Sequence, residues 1–435
     1  MEQPYSWQWV EGRVAETIRS WNSGAAKPPP MPRYSPEEQE KREKGYDQGL
    51  HEVEQEAKKT LRTRADRLAA QDRITSSFAR FSATALNLES GAVQLLTEEL
   101  LPVGTELARF ARQFDPNLDM ADIIQACRNA WTACGLQPLL GQPIKLTPSI
   151  LGYSLLYPYS DNFLDREDVP NAAKLRFSER FRNRLHGIAL PAEDDREAAL
   201  WTLVGLIEQQ YARAQYPHVF ACLLAIHRAQ EESITQTSGG RVRGGLTEIE
   251  ILRTSCAKGG TSVLADACLA HGCMSREESR FAFAWGVLLQ LGDDLQDIRE
   301  DMRRGSVTLF TQAATSGRPL DSLVIQLLNF SMQVAAGMEH LLYGTAMLKK
   351  LLRMSWQSLI VGAIANSHEF FSPAFLAEAE GWSPFRFDFL RARNARLASR
   401  QGLYARLFEA FLEPPWLAHM SPKNGYNELG VDPGG

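Results

Sequence analysis

Cysteine is sparse and unpatterned in this chain. Cys127, Cys134, Cys222, Cys256, Cys268 and Cys273 form no CxxC pair and no Cys/His metal spacing. They read as reduced thiols in apolar helices, which excludes a disulfide framework and a zinc centre. Long uncharged runs are also missing. The longest, Ser322–Met338, has 17 residues with two Gln and one Asn, too short and too polar to span a membrane. An excess of basic charge is absent: the net charge is −5 and the pI about 6.0, so no nucleic-acid partner is expected. Alternating β-branched runs bounded by turns are nearly absent, and no 20–50-residue period recurs, which leaves no case for a sheet or a repeat array. HExxH, GxSxG and kinase signatures are lacking, so hydrolase and kinase readings have no anchor. Neither acidic cluster carries the Glu-x-x-His of a di-iron bundle. The N-terminal MEQPYSWQWVEGR has no basic-then-apolar signal pattern. A cytoplasmic protein is expected, and a lipid substrate would still bring it to a membrane surface.

What the chain does have is helical periodicity. Of its 435 residues, 44% are hydrophobic, and from Ile74 onward apolar residues recur near every 3.6 positions. Continuous helical segments are predicted over 147–165, 247–271, 276–304 and 320–353, among others. Thr147–Pro148, Thr247 with Glu250, and Ser275 with Glu278 are start signals, while Gly305 and Gly317 are stops. The predicted fold is all-α. Residues 1–73 read as a polar N-terminal extension, with an amphipathic helix over 5–22, a Pro-rich linker over 23–36 and a solvent-facing helix beyond. Residues 74–400 read as the helical domain, and 401–435 as a C-terminal helix and tail.

The most informative stretch is 285-WGVLLQLGDDLQDIREDMRRG-305. Asp293, Asp294, Asp297 and Asp301 fall within nine residues of an otherwise apolar helix. At 100° per residue, positions i, i+4 and i+8 share one edge, so Asp293, Asp297 and Asp301 align and Asp294 points elsewhere. Like charges at that spacing repel, and desolvation adds to the cost. A divalent cation would relieve both, with Mg²⁺ the usual choice beside phosphate oxygens. The competing reading is a solvated acidic face paired with Arg299, Arg303 and Arg304.

A second cluster lies in 153-YSLLYPYSDNFLDREDVP-170, where Asp161 and Asp165 are again i, i+4 with Asp168 beyond them, and Pro158 is placed to kink the helix. Two such clusters suggest carboxylate walls facing across a cavity. Arg166, Arg184, His186, Lys258, Arg299, Arg303 and Arg304 supply nearby positive charge, each as ready for a salt bridge as for a ligand, with Lys258 and Arg304 favoured. Lys258 precedes a Gly259-Gly260 break in its helix. The glycine-rich 238-SGGRVRGG-245 is a flexible connection whose Arg241 and Arg243 could close over an anion. Phe370, Phe371, Phe375, Trp382, Phe385, Phe387 and Phe389 either cap an apolar cavity or pack between helices.

Over about residues 75–380 the chain resembles the class I isoprenoid synthases. Gln290-Leu291-Gly292-Asp293-Asp294-Leu295-Gln296-Asp297 is similar to the second motif of trans-prenyl diphosphate synthases and, through Arg304-Gly305, to a helix of phytoene and squalene synthases. Ser160-Asp161-Asn162-Phe163-Leu164-Asp165 is similar to the first motif, as DxxxD where chain-elongating synthases have DDxxD. The segment 258-KGGTSVLADACLAHG-272 looks most like large bacterial terpene synthases of the tetraprenyl-β-curcumene synthase type. The resemblance implies a helical bundle around a central cavity and a Mg²⁺-dependent terpene synthase that ionises a linear prenyl diphosphate. It implies that Asp161, Asp165, Asp293, Asp294, Asp297 and Asp301 hold a trio of Mg²⁺ ions. It implies further that Arg184, Lys258, Gln290 and Arg304 hold diphosphate. The alternatives are head-to-head prenyl transfer of the squalene/phytoene synthase type and a non-catalytic helical scaffold.

Overall fold

Helix caps explain where most elements begin. In the computed structural model, which describes residues 5–166, 168–238 and 245–412, every element is helical. Helices α1 (Trp7–Asn22), α2 (Pro36–Ala57), α3 (Arg64–Thr84) and α4 (Ser90–Gln94) lead through a π-helical turn, Leu95–Leu100, into α5 (Leu101–Phe114). There follow α6 (Met120–Leu139), α7 (Pro148–Asp165), α8 (Asn171–Leu185), α9 (Asp195–Gln210) and α10 (Pro217–Ser238). The second half holds α11 (Glu248–His271), α12 (Arg276–Gln296), α13 (Ile298–Arg304), α14 (Leu309–Thr315), α15 (Asp321–Glu339) and α16 (Ala346–Asn366). The last are α17 (Pro373–Glu380), α18 (Phe387–Ser399) and α19 (Gln401–Leu412). Thr247 with Glu250 and Ser275 with Glu278 form reciprocal capping boxes, and Thr147 caps α7 with Pro148 in its first turn. Gly305 and Gly317 adopt φ of 72° and 70° and stop α13 and α14. No helix among the described residues is long and apolar enough to cross a membrane.

Helix α11 is the central element, packed against α1, α6, α7, α10 and α12. Its opposite faces feed two apolar clusters. Val263 and Ala267 join the one shared with α12, α15 and α16, while Leu264 and Cys268 join the one shared with α6, α7, α9 and α10. The glycine pair after Lys258 does not break α11. A Cβ on Gly259 would fall 2.5 Å from the Gly286 carbonyl oxygen, and one on Gly286 would fall closer still to that of Gly259. These glycines let α11 and α12 cross at backbone contact, which sets Lys258 beside the acidic end of α12.

Three further differences from the sequence expectation have local causes. The segment 276–304 divides at Asp297, whose backbone (φ −95°, ψ 11°) leaves the helix between α12 and α13. The amide of Asp297 still bonds to the Asp293 carbonyl at 2.8 Å and that of Asp301 to Asp297 at 2.9 Å, so the acidic edge continues across the break. The segment 320–353 divides at a turn where Gly344 takes φ 91°. The N-terminal segments are tied to the body: Val10, Val14 and Trp21 of α1 lie in the core, and residue 73 falls inside α3. On α2, Glu43 and Glu54 are buried against Arg386 and Arg396, the latter pair meeting at 2.9 and 2.6 Å. The Arg396 hydrogen bond holds the Glu54 carboxyl down at about 2.

Candidate functional site

Seven helices line a cavity of about 370 Å³, with α8 contributing Phe181 and Leu185 and α16 contributing Leu359, within the usual range for small-molecule sites. Residues one turn apart on each helix line it. Tyr153, Tyr157 and Asp161 come from α7, Gly286, Gln290 and Asp293 from α12, and Lys258, Ser262 and Asp266 from α11. Helix α6 adds Gln125, Arg128 and Asn129, and α10 adds Leu223, Ile226, His227 and Gln230. The first and second acidic clusters therefore reach one cavity, through Asp161 and Asp293.

Asp161 is buried and accepts hydrogen bonds from Gln230 Nε2 at 2.8 Å and Ser160 Oγ at 3.4 Å. Asp165 ends α7, and its side chain lies outside the described residues. Asp168 is exposed and pairs with Arg166 at 2.9 Å. Across the cavity, Asp293, Asp297 and Asp301 behave as an electrostatic set. Burial raises the Asp293 carboxyl above its ordinary value, with Asp297 adding to the rise. Asp293 is exposed where it lines the cavity, while Asp297, also exposed, and the half-buried Asp301 continue the same edge outside the cavity wall. Burial likewise raises Asp297. Asp301 is pushed up to about 6 by burial, then by Asp297 and Asp293. Lys258 opposes the rise at Asp293 and Asp301, Arg128 at Asp293 and Asp297, and Arg304 at Asp297 and Asp301.

Asp294 is not brought to the cavity. It turns toward α11, accepts from Ser255 Oγ at 3.0 Å and Gln290 Nε2 at 2.8 Å, and is pushed to about 7 by burial. Gln290 lines the cavity, but its amide is engaged by this carboxylate. Because the folded pKa lies above the ordinary 3.8, the stabilisation tied to the neutral form is fully present below about pH 4. It is lost as pH rises through about 7. Asp294→Asn removes that titration. Thermal melts should show the variant matching wild type at pH 4 and exceeding it by about 4 °C at pH 8.

Among the basic residues, Lys258 lines the cavity. Arg304 is exposed, ion-paired with Glu300, and close enough to lower Asp297 and Asp301. Arg184 is not among the residues that line the cavity. Its guanidinium is bidentate to Glu208 at 2.7 and 2.6 Å, a carboxylate that also accepts from Arg213 at 2.7 Å, so it is held in the α8–α9 packing away from the cavity. Arg299 is held by Glu369, with its Nη2 bond at 2.6 Å, and His186 is exposed at the end of α8. Arg241 and Arg243 lie outside the described residues. The C-terminal aromatics are packing residues: Phe371 stacks on Phe375 at 5.5 Å, and Phe375 meets Trp382 edge-on at 5.7 Å. Tyr153, Tyr157 and Phe181 are the rings at the cavity instead.

Four contributors escaped the sequence reading. Arg128, oriented by Gln125 at 2.7 Å, faces the α12 carboxylates. Gln230 holds Asp161, and Asn129 bridges Ser154 and Asp266 at 3.1 Å each. Among the described residues no three His, Cys, Asp or Glu side chains form a ready group for a metal ion. The donors nonetheless suit a hard cation: they are carboxylates whose mutual repulsion a cation would relieve. No family model matches this chain, and no curated protein matches it either.

Proposed function

We infer that the protein is a Mg²⁺-dependent class I terpene synthase acting on a linear prenyl diphosphate. One observation carries the reading: Asp161 and Asp293, on separate helices each bearing an acidic cluster, line one largely apolar cavity together with Lys258 and Arg128. Asp161, Asp293, Asp297 and Asp301 are the residues to hold the metal, with Asp165 alongside by sequence. Bound Mg²⁺ would supply charge that stabilises a departing diphosphate. Lys258 and Arg128, and Arg304 at the exposed end of the acidic edge, add fixed positive charge where negative charge develops on the leaving oxygen. Gln230 holds Asp161 in place, and Gln125 does the same for Arg128. Leu156, Leu223 and Ile226 shed water from the apolar chain, and the faces of Tyr153, Tyr157 and Phe181 favour a cation formed there.

The test is incubation with Mg²⁺ and prenyl diphosphates of increasing length, followed by product mass. A hydrocarbon or alcohol retaining the substrate's carbon count is expected from at least one of them. A product with twice the carbons would assign head-to-head prenyl transfer. No diphosphate release from any substrate would contradict the reading and favour a scaffold.

A further inference from the structure

Deep in the cavity wall, two turns along α11 from Lys258, stands a carboxylate that the metal site does not use. Asp266 is 1% exposed and lines the cavity. Its Oδ1 accepts from Asn129 Nδ2 at 3.1 Å, and its Oδ2 has no hydrogen-bond partner. Asn129 is fixed in turn by Ser154 at 3.1 Å, and Tyr153 Oη bonds the Ser262 carbonyl at 3.5 Å, so the surrounding polar groups are already engaged. Eight residues separate Asp266 from Lys258, about 12 Å at the rise of an α-helix. The carboxyl thus stands well away from the diphosphate end, where the hydrocarbon part of a bound substrate would lie. A buried carboxylate oxygen without a partner is costly, and such a group persists where chemistry requires it.

We propose that Asp266 is the proton acceptor that ends the carbocation reaction inside the cavity. The proposal rests on the terpene synthase reading. In the step, a C–H bond next to the cationic carbon breaks and its electron pair forms a C=C bond. The proton passes to Oδ2 of the Asp266 carboxylate and returns to bulk water once product leaves. Asn129, bonded to the other oxygen, is the positioning residue that holds the carboxyl in the cavity wall. Burial raises the Asp266 carboxyl well above the usual carboxylate range and so disfavours the ionised form that accepts the proton, and the yield of the main alkene per diphosphate should therefore rise with pH.

The test compares wild type with Asp266→Asn and Asp266→Leu, measuring product mixture per diphosphate released. Each variant should cut the main wild-type alkene by about 100-fold per diphosphate, with early-released alkenes or alcohols taking its place. Removing an unpartnered buried carboxyl should also raise Tm by about 2–4 °C, so the leucine variant guards against a folding failure. Asn129→Leu should give a partial shift in the same direction. An unchanged product mixture in both Asp266 variants would overturn the proposal. So would the shift arising from His227→Gln in their place, since His227 Nδ1 is, among the described residues, the other unpartnered buried atom on a cavity-lining side chain. Wild type that releases no diphosphate contradicts the functional reading itself, a result separate from either of these.

Discussion

Asp297→Asn should lower Mg²⁺-dependent diphosphate release by at least about 100-fold while making the metal-free protein more stable. The two effects share one cause. Asp293, Asp297 and Asp301 lie on one edge that runs across the α12–α13 break, and Asp297 raises the carboxyls of both Asp293 and Asp301. Without a cation, neutralising the middle carboxylate relieves repulsion on both sides. With a cation, the same change removes a ligand. A purely structural acidic face would behave differently, because the loss of Asp297 would leave turnover untouched. Asp293→Asn should act in the same way, and melting curves with and without Mg²⁺ plus inorganic diphosphate separate the two contributions. Wild type gains Tm from that mixture, whereas the Asp297 variant should gain little.

Gly286→Val should cost about 3 kcal/mol or more, enough to threaten the fold. The α11–α12 crossing leaves no space for a side chain: a Cβ on Gly286 meets the Gly259 backbone, and one on Gly259 meets the Gly286 carbonyl. The overlap is with backbone, so no rotamer change relieves it. Pushing the helices apart would also move Lys258 from Asp293 and Asp301, so surviving protein should lose activity too. Gly205, with nothing near its Cβ position, is the control. Gly205→Ala should stabilise by up to about 1 kcal/mol through helix propensity. Denaturant unfolding of the two variants beside wild type checks both expectations.

The all-helical architecture was legible because apolar residues keep a 3.6-residue period and because caps such as Thr247/Glu250 and Ser275/Glu278 are local signals. Local signals also exposed the acidic edge of α12, where carboxylates sit in an apolar helix. What was not legible depended on distant partners. Arg184 looks available in the sequence, but its guanidinium is taken by Glu208, a carboxylate it shares with Arg213. Arg128 is one arginine in an unremarked helix, and only the packing of α6 turns it toward Asp293. Gly259 and Gly260 read as a break because glycine weakens an isolated helix, and their role shows only once Gly286 is opposite Gly259 and the Phe283 ring opposite Gly260. Asp266 differs from these. A lone carboxylate between Leu264, Ala265, Ala267 and Cys268 satisfies the same criterion that singled out α12, so its signal was present in the sequence.

The most direct measurement is anomalous diffraction from crystals grown with Mn²⁺, in place of Mg²⁺, together with inorganic diphosphate. Anomalous peaks are predicted between the Asp161 end of α7 and the Asp293–Asp297–Asp301 edge, with diphosphate density reaching Lys258 and Arg128. A cavity that holds neither ion nor diphosphate under saturating conditions, or ions seated only at exposed carboxylates such as Asp168, would contradict the account.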